Sequence, residues 1–229
     1  MVQSHDIKNM AKKYGADACN IASVSDFNDA PKGFHPQDIL PAATSIALFL
    51  CKFPKHCLHS KNMAPYTFIR NEMVKKIDRI TFELCCELET NDIVSIPIPC
   101  DEPYDYWNKE RREGRSIISL KHAAVIAGLG LLGKNTLLIH QIYGNMIWLG
   151  GILIADELDP DTPTEHKECD PECTLCLDSC PVNALDGTTI IQKRCREHSI
   201  TCSEGGGMIY TCNTCRIVCP YFDGNPTLK

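Results

Sequence analysis

The residues of this chain that could do chemistry are gathered near its C-terminus. Cys169, Cys173, Cys176 and Cys180, followed by Pro181, read C-x3-C-x2-C-x3-CP, and Cys212, Cys215 and Cys219, followed by Pro220, read C-x2-C-x3-CP. Cys173 answers to Cys212, Cys176 to Cys215, Cys180 to Cys219 and Pro181 to Pro220 at a constant offset of 39 residues, so this region is an internal duplication. Thiols two and three residues apart on a tight loop can aim their sulfurs at one small polynuclear centre. The proline after the last thiol then bends the chain away.

In two-cluster ferredoxins that last cysteine ligates the other cluster. On this pattern Cys169, Cys173, Cys176 and Cys219 hold one 4Fe-4S cluster, and Cys180, Cys212, Cys215 and a further thiolate hold a second. The duplication puts the missing ligand at Met208, which leaves Cys195 and Cys202 as candidates. A structural zinc site could use two CxxC pairs but gives the Cys-Pro steps and the other cysteines no role. Disulfides need export, and the N-terminus, with His5, Asp6 and Lys8 so early, has no apolar core of a signal peptide. Fifteen cysteines without an export signal therefore point to a reducing cytoplasm.

A second candidate region is the glycine block Gly128-Leu-Gly130-Leu-Leu-Gly133, followed by Lys134, Asn135 and Thr136. It matches G-x-G-x-x-G by letter, but a dinucleotide site needs a strand before it and a helix after it, and here the order is reversed. A P-loop fails too, because Asn135 stands where Ser or Thr would coordinate magnesium. What survives is close backbone approach to a ligand, with Lys134 and Asn135 offering a charge and donors to a phosphate or amide. A plain glycine turn is the alternative reading.

These regions need elements to place them. Ser4 can cap a first helix over Ile7, Met10, Ala11 and Tyr14, which Gly15 stops. Ala18 to Val24 and the apolar run Ser45 to Leu50 read as strands, with a loop from Asp26 to Pro41 between them. Ile69, Met73, Ile77, Ile80 and Leu84 make one face of a long helix from Pro65 to Leu88. Val94, Ile96 and Ile98 alternate as a strand. Asp101 to Arg115 reads as a solvated loop or short helix, Ser119 to Ala127 as a helix stopped by Gly128, and Asn135 to His140 and Met146 to Ile154 as β-rich runs. The Pro- and acid-rich stretch Asp159 to Asp170 is the expected boundary between residues 1–160 and 161–229. Mixed helices and strands of this order suggest an α+β sandwich.

At 229 residues and 44% apolar, the chain can bury a core. Its longest uncharged runs, of which Met146 to Ala155 is one, are too short for a membrane span. A net charge of -6 argues against a partner that is bound by its nucleic-acid backbone.

Lys121-His-Ala-Ala-Val-Ile-Ala-Gly-Leu-Gly-Leu-Leu-Gly-Lys-Asn-Thr136, Tyr143-Gly-Asn-Met-Ile-Trp-Leu-Gly150, Gly15-Ala-Asp, Gln192-Lys-Arg-Cys195 and the double cysteine array together resemble the epoxyqueuosine reductases and their reductive-dehalogenase relatives. The resemblance implies a nitroreductase-like α+β domain holding cobalamin over residues 1–160, then a ferredoxin-like domain with two 4Fe-4S clusters over 161–229. Electrons would pass from a ferredoxin- or flavodoxin-type donor through the clusters to cobalt and on to a substrate. Gly128, Gly130, Gly133, Lys134, Asn135 and Thr136 would lie against the corrinoid, and Cys195 rather than Cys202 would be the eighth cluster ligand.

There are departures. The chain ends nine residues after Pro220, so the family's C-terminal helical repeats, which help to engage tRNA, are expected to be missing. With the acidic charge, this argues against tRNA and leaves a small-molecule or unknown substrate. Gly114 stands where an ungapped match puts the family's proton-donating aspartate, leaving Asp101 and Glu102 as nearby carboxylates and Asp101 as the candidate general acid. No D-x-H-x-x-G motif offers cobalt a histidine. The rival readings are an electron carrier or activase without its own corrinoid, and a flavin reductase.

Overall fold

The computed structural model describes residues 2–162 and 169–224. The chain begins with α1 (Ser4–Lys13), β1 (Ala18–Ser23), the single turn α2 (Pro36–Ile39), β2 (Ser45–Lys52), the long α3 (Ala64–Thr90) and β3 (Ser95–Ile98). A hairpin of β4 (Tyr106–Asn108) and β5 (Glu113–Arg115) leads to α4 (Leu120–Ile126), a second small hairpin of β6 (Leu131–Leu132) and β7 (Leu138–Ile139), and the long strand β8 (Ile147–Ile154). The cysteine-rich region carries the turn α5 (Leu175–Asp178), α6 (Gln192–Ser199), the hairpin β9 (Ile200–Cys202) and β10 (Met208–Tyr210), and the turn α7 (Thr214–Ile217).

β2 explains the layering. Its Ile46, Leu48 and Leu50 enter one apolar cluster and its Ala47, Phe49 and Cys51 enter another, so the run is apolar throughout because both of its faces are covered. The sheet order is β1-β2-β8-β3, antiparallel at every pairing. On one face lie α1, through Ile7 and Ala11, and α3, through Met73, Ile77, Ile80, Leu84 and Leu88. On the other lies α4, through Leu120, Ala123 and Ala124. Each Ile, Leu or Met among them, when fully buried, contributes about 1.5–3 kcal/mol of transfer free energy. A Cβ on Gly150 in β8 would stand 2.4 Å from the Phe49 ring and 2.7 Å from Ile77, so glycine there lets α3 rest on the sheet.

Several expectations are corrected. Ser4 does not cap α1: Gln3 is the N-cap, its N–H donating to Asp6 at 2.9 Å, and the Ser4 hydroxyl donates instead to the Asp159 carbonyl. The stretch from Asp101 to Arg115 contains a hairpin rather than a helix, with Tyr106 opposite Arg115 and Asn108 opposite Glu113. Asn135 to His140 is a strand only at Leu138–Ile139. Thr136 adopts a left-handed φ of 59°, and the Asn135 side chain takes the Leu137 N–H that a ladder would use.

At the expected boundary, Asp161 accepts from the Ile21 N–H at 2.8 Å and pairs with Lys8 at 2.6 Å. The middle of that stretch, 163–168, lies outside the described residues. The later hairpin reaches back to α3, where the Tyr210 N–H donates to Thr67 at 3.0 Å. Among the described residues no helix is long and apolar enough to cross a membrane.

Candidate functional site

The thiols fall into two groups of four, and each group takes a member from the other half of the duplication. Cys169, Cys173, Cys176 and Cys219 line a cavity of about 420 Å³. Burial pushes the Cys176 thiol up, and Cys169, Cys219 and Cys173 add to this by proximity. In the second group, burial raises Cys195 and pushes Cys215 up to about 11. Cys212 and Cys180 act on both of them, and Arg216 pulls Cys215 the other way. Cys195 belongs to this group from its place in α6, whereas Cys202 is exposed in β9. Among the described residues no three His, Cys, Asp or Glu side chains gather on a point as a single metal ion requires.

Three side chains from the β6–β7 region and the start of β8 hold the cysteine loops. Lys134 Nζ donates to the carbonyls of Pro171 (2.5 Å) and Cys173 (2.9 Å). Asn135, 3% exposed, donates to the Cys215 carbonyl at 3.0 Å, and Asn145, 1% exposed, donates to the Arg216 carbonyl at 2.9 Å. Gly133, Lys134 and Asn135 thus line the thiol cavity. Gly128, with φ 72°, closes α4, its N–H donating to Val125. A Cβ on Gly130 would lie 2.4 Å from the Ile139 carbonyl oxygen, so this glycine admits the returning strand β7. The Thr136 carbonyl accepts from Lys121 Nζ at 2.6 Å. The reach of Asn135 to a residue 80 positions away had no signal in the sequence.

A second cavity, of about 620 Å³, lies between the sheet, β5, α4 and α6. Its apolar wall includes Ile118, Leu138 and Leu149, and its polar wall includes Asp101, Tyr104, Lys121, Arg196 and Arg216. Cys195 and Trp148 also line it, so the second thiol group is the one beside this space. Asp101 is ion-paired with Arg70 and accepts from the Tyr104 hydroxyl at 3.3 Å, while Arg196 donates to the Tyr104 oxygen at 3.0 Å. Gly114 is clamped by the Gln192 amide, and a Cβ there would meet the Tyr104 ring at 2.9 Å, so the phenol fills the room a side chain at 114 would need. Glu102 is exposed and does not line the cavity.

Other candidates have local roles. Desolvation lowers His122 below its ordinary 6.5, Lys121 adding to it, and its ring faces Ser119 at 2.7 Å. His140 Nδ1 accepts from the N–H groups of Ile142 and Tyr143. Cys100 lines the second cavity, Cys19 and Cys51 are buried, and Cys57, Cys85 and Cys86 are half-buried.

At the cavity mouth Tyr104 and Trp107 stack with centroids 5.6 Å apart at 15°, and the Arg196 guanidinium covers both at 5.4 and 5.2 Å. Trp107 is 46% exposed. The hairpin that bears it also carries Lys109, Arg111, Arg112 and Arg115, and α6 carries Lys193, Arg194 and Arg196.

No family model matches the chain. An epoxyqueuosine reductase of Aliivibrio fischeri is 37% identical over 106 residues, which are 42% of this chain and 28% of that protein. One from Bacillus cereus is 26% identical over 94% of this chain and 63% of that protein. This chain resembles the epoxyqueuosine reductases. It spans less than two thirds of the length of either relative.

Solved structures share the fold. The epoxyqueuosine reductase of Streptococcus thermophilus superposes with a TM-score of 0.66 at 21% identity, covering 96% of this chain and 67% of that one. A reductive dehalogenase described in terms of B12-dependent dehalogenation gives 0.67 at 15% identity, over 96% of this chain and 32% of that one. A third, an epoxyqueuosine reductase with a tRNA-Tyr epoxyqueuosine-modified stem loop, gives 0.64 at 20% identity over 96% of this chain and 66% of that one. This last neighbour corrects the expectation that acidic charge speaks against tRNA. Net charge is a sum over the whole surface and does not describe any one patch; of the basic residues in β5 and α6, Arg115 and Arg196 line the cavity.

Proposed function

We propose that this chain is an iron-sulfur oxidoreductase that carries electrons through two 4Fe-4S clusters to a corrinoid in the 620 Å³ cavity, for the reduction of a substrate at its mouth. The observation that carries the reading is the crossing of the thiols: Cys219 groups with Cys169, Cys173 and Cys176, while Cys180 groups with Cys195, Cys212 and Cys215. Two interlocked sets of four sulfurs, one of them around a cavity, are a donor set suited to polynuclear iron. In this reading residues 1–160 are a nitroreductase-like α+β sandwich and 161–229 a ferredoxin-like unit fed by a ferredoxin- or flavodoxin-type donor.

Asn145 supports a ligand in the cavity. Its Nδ2 donates to the Arg216 carbonyl, which fixes the amide orientation, and its buried Oδ1 has no donor among the described residues. A bound group that offers an amide N–H, such as a side-arm carboxamide of a corrinoid, would satisfy it. When bound, the clusters supply single-electron transfer and the corrinoid a low-potential centre for substrate reduction.

The chain's own part is to seat, exclude water and deliver a proton. Cys195 and Arg216 bring the second thiol set to the cavity wall, and Leu138, Ile118 and Leu149 keep that wall apolar. Asp101 and the Tyr104 hydroxyl share a hydrogen bond facing the cavity, so a proton given up by Tyr104 Oη can be replaced from solvent by way of Asp101. Beside the cavity-lining Tyr104, the exposed Trp107 and the Arg196 guanidinium that covers both rings suit stacking of an unstacked base, which favours an RNA loop as substrate.

The test is anaerobic purification followed by titration with cobalamin. Stoichiometric binding with cobalt-centred absorption changes on reduction supports the reading. No binding at micromolar cobalamin, with clusters present, would make the protein an electron carrier without its own corrinoid.

A further inference from the structure

Arg216 lies between Cys215 and Cys219, one thiol from each group. It is 7% exposed, donates to the Asn145 carbonyl, and holds its guanidinium 5.6 Å from the centre of the Trp148 ring. Among the described residues no carboxylate lies within ion-pair distance of it. A buried guanidinium whose near partners are a carbonyl, the Met146 sulfur at 3.9 Å and an aromatic face, all uncharged, is strongly unfavourable unless a negative group shares its space. Arg216 follows Cys215 directly in α7, and its charge acts on the Cys215 sulfur and on the Tyr66 hydroxyl, of which the sulfur is a cluster ligand in the reading above.

We propose that Arg216 is the fixed counter-charge of the cluster seated by Cys180, Cys195, Cys212 and Cys215, and that it makes this cluster, beside the 620 Å³ cavity, the easier of the two to reduce. The inference rests on the iron-sulfur reading above. Reduction takes one electron from an external one-electron carrier, forms and breaks no bond, and adds one unit of negative charge to the cluster. A cation held nearby and out of water favours the reduced form, and salt screens it little. The other thiol set has Lys134 beside it, but that side chain is half-exposed and its charge is more fully screened. Electrons would therefore run downhill from the first set to the second and come to rest next to the cavity.

The test is an electron-paramagnetic-resonance redox titration of the cluster-loaded protein, with dithionite as reductant, for wild type, Arg216→Gln and Arg216→Lys. Arg216→Gln should weaken electron uptake by one cluster about tenfold, which is ~59 mV for a one-electron couple, and leave the other nearly in place. Arg216→Lys should keep most of the wild-type value, and high salt should change neither result. Equal movement of both clusters, no movement, or an equal shift in the lysine variant would overturn the proposal, the last because it would make shape rather than charge responsible. Urea unfolding of the cluster-free proteins gives an independent reading if Arg216→Gln loads poorly. Loss of an uncompensated buried charge should leave that variant at least as stable as wild type, and a clearly less stable variant would count against the idea. Wild-type protein without iron or sulfide would instead bring down the underlying iron-sulfur reading, an outcome distinct from an unshifted potential.

Discussion

Asn135→Ala asks whether the sandwich holds the cysteine loops in register. Asn135 is nearly fully buried and makes two hydrogen bonds, donating to the Cys215 carbonyl at 3.0 Å and accepting from the Leu137 N–H at 3.1 Å. Each such bond contributes about 0.5–1.5 kcal/mol net, so losing both costs about 1–3 kcal/mol. The upper half of that range is expected, because the groups left behind are poorly placed to find water. A domain of ordinary stability, about 5–15 kcal/mol, survives this. The damage therefore falls on the loop that carries Cys215. In urea unfolding of the cluster-free protein the variant should lose stability by that amount. In the loaded protein a chelator should remove iron from the second thiol set faster than from the first. Asn135→Asp, which sets a carboxylate oxygen against the Cys215 carbonyl in a buried site, should cost at least as much as alanine. A stability change below about 0.5 kcal/mol, together with wild-type iron loss, would refute the idea that Asn135 is a clamp.

Cys195→Ala should halve the iron and sulfide retained by the protein, whereas Cys202→Ala should leave both unchanged; cluster content and electron paramagnetic resonance distinguish them, and the reverse pattern would reassign the eighth ligand. The cluster-free protein should lose stability in alkali. Burial pushes Cys215 up to about 11 from its ordinary 9.0 and raises Cys176, Cys195 and Cys219 in the same direction. Unfolded thiols then release protons that the folded ones still hold, so this contribution is present below pH 9.0 and lost as the pH rises from 9.0 toward 11. Urea midpoints across that range should fall, and a flat profile would contradict the burial. Trp107→Ala should weaken binding of a single-stranded RNA loop by about 1–3 kcal/mol without changing cluster content, as read by fluorescence titration.

The parts that could be read from the sequence are those where one physical requirement dictates residue type at close range. The apolar run of β2 and the stripe of Met73, Ile77, Ile80 and Leu84 are needed to cover two sheet faces, and the left-handed stop of α4 needs Gly128. What could not be read depends on partners far apart in the chain. Asn135 looked like a near miss to a phosphate loop, yet its amide serves a carbonyl 80 residues on. Lys134, expected near the polar edge of a cofactor, donates to the carbonyls of Pro171 and Cys173, contacts that its place in the sequence did not announce. The β4–β5 hairpin pairs over only three residues a side, too few for alternation to show, so the stacked Tyr104 and Trp107 passed for a solvated loop. Arg216 gave no sign, since arginine beside cysteines is ordinarily a surface residue and only its burial, 7% exposed, marks it out.

The central claim is that two crossed sets of four thiols seat paired iron-sulfur cubes. Iron and acid-labile sulfide analysis of anaerobically purified protein, with Mössbauer spectroscopy of the iron, tests it most directly. About eight iron and about eight sulfide per chain, all in 4Fe-4S form, is the expected result; zinc in place of iron, or iron without sulfide, would contradict it.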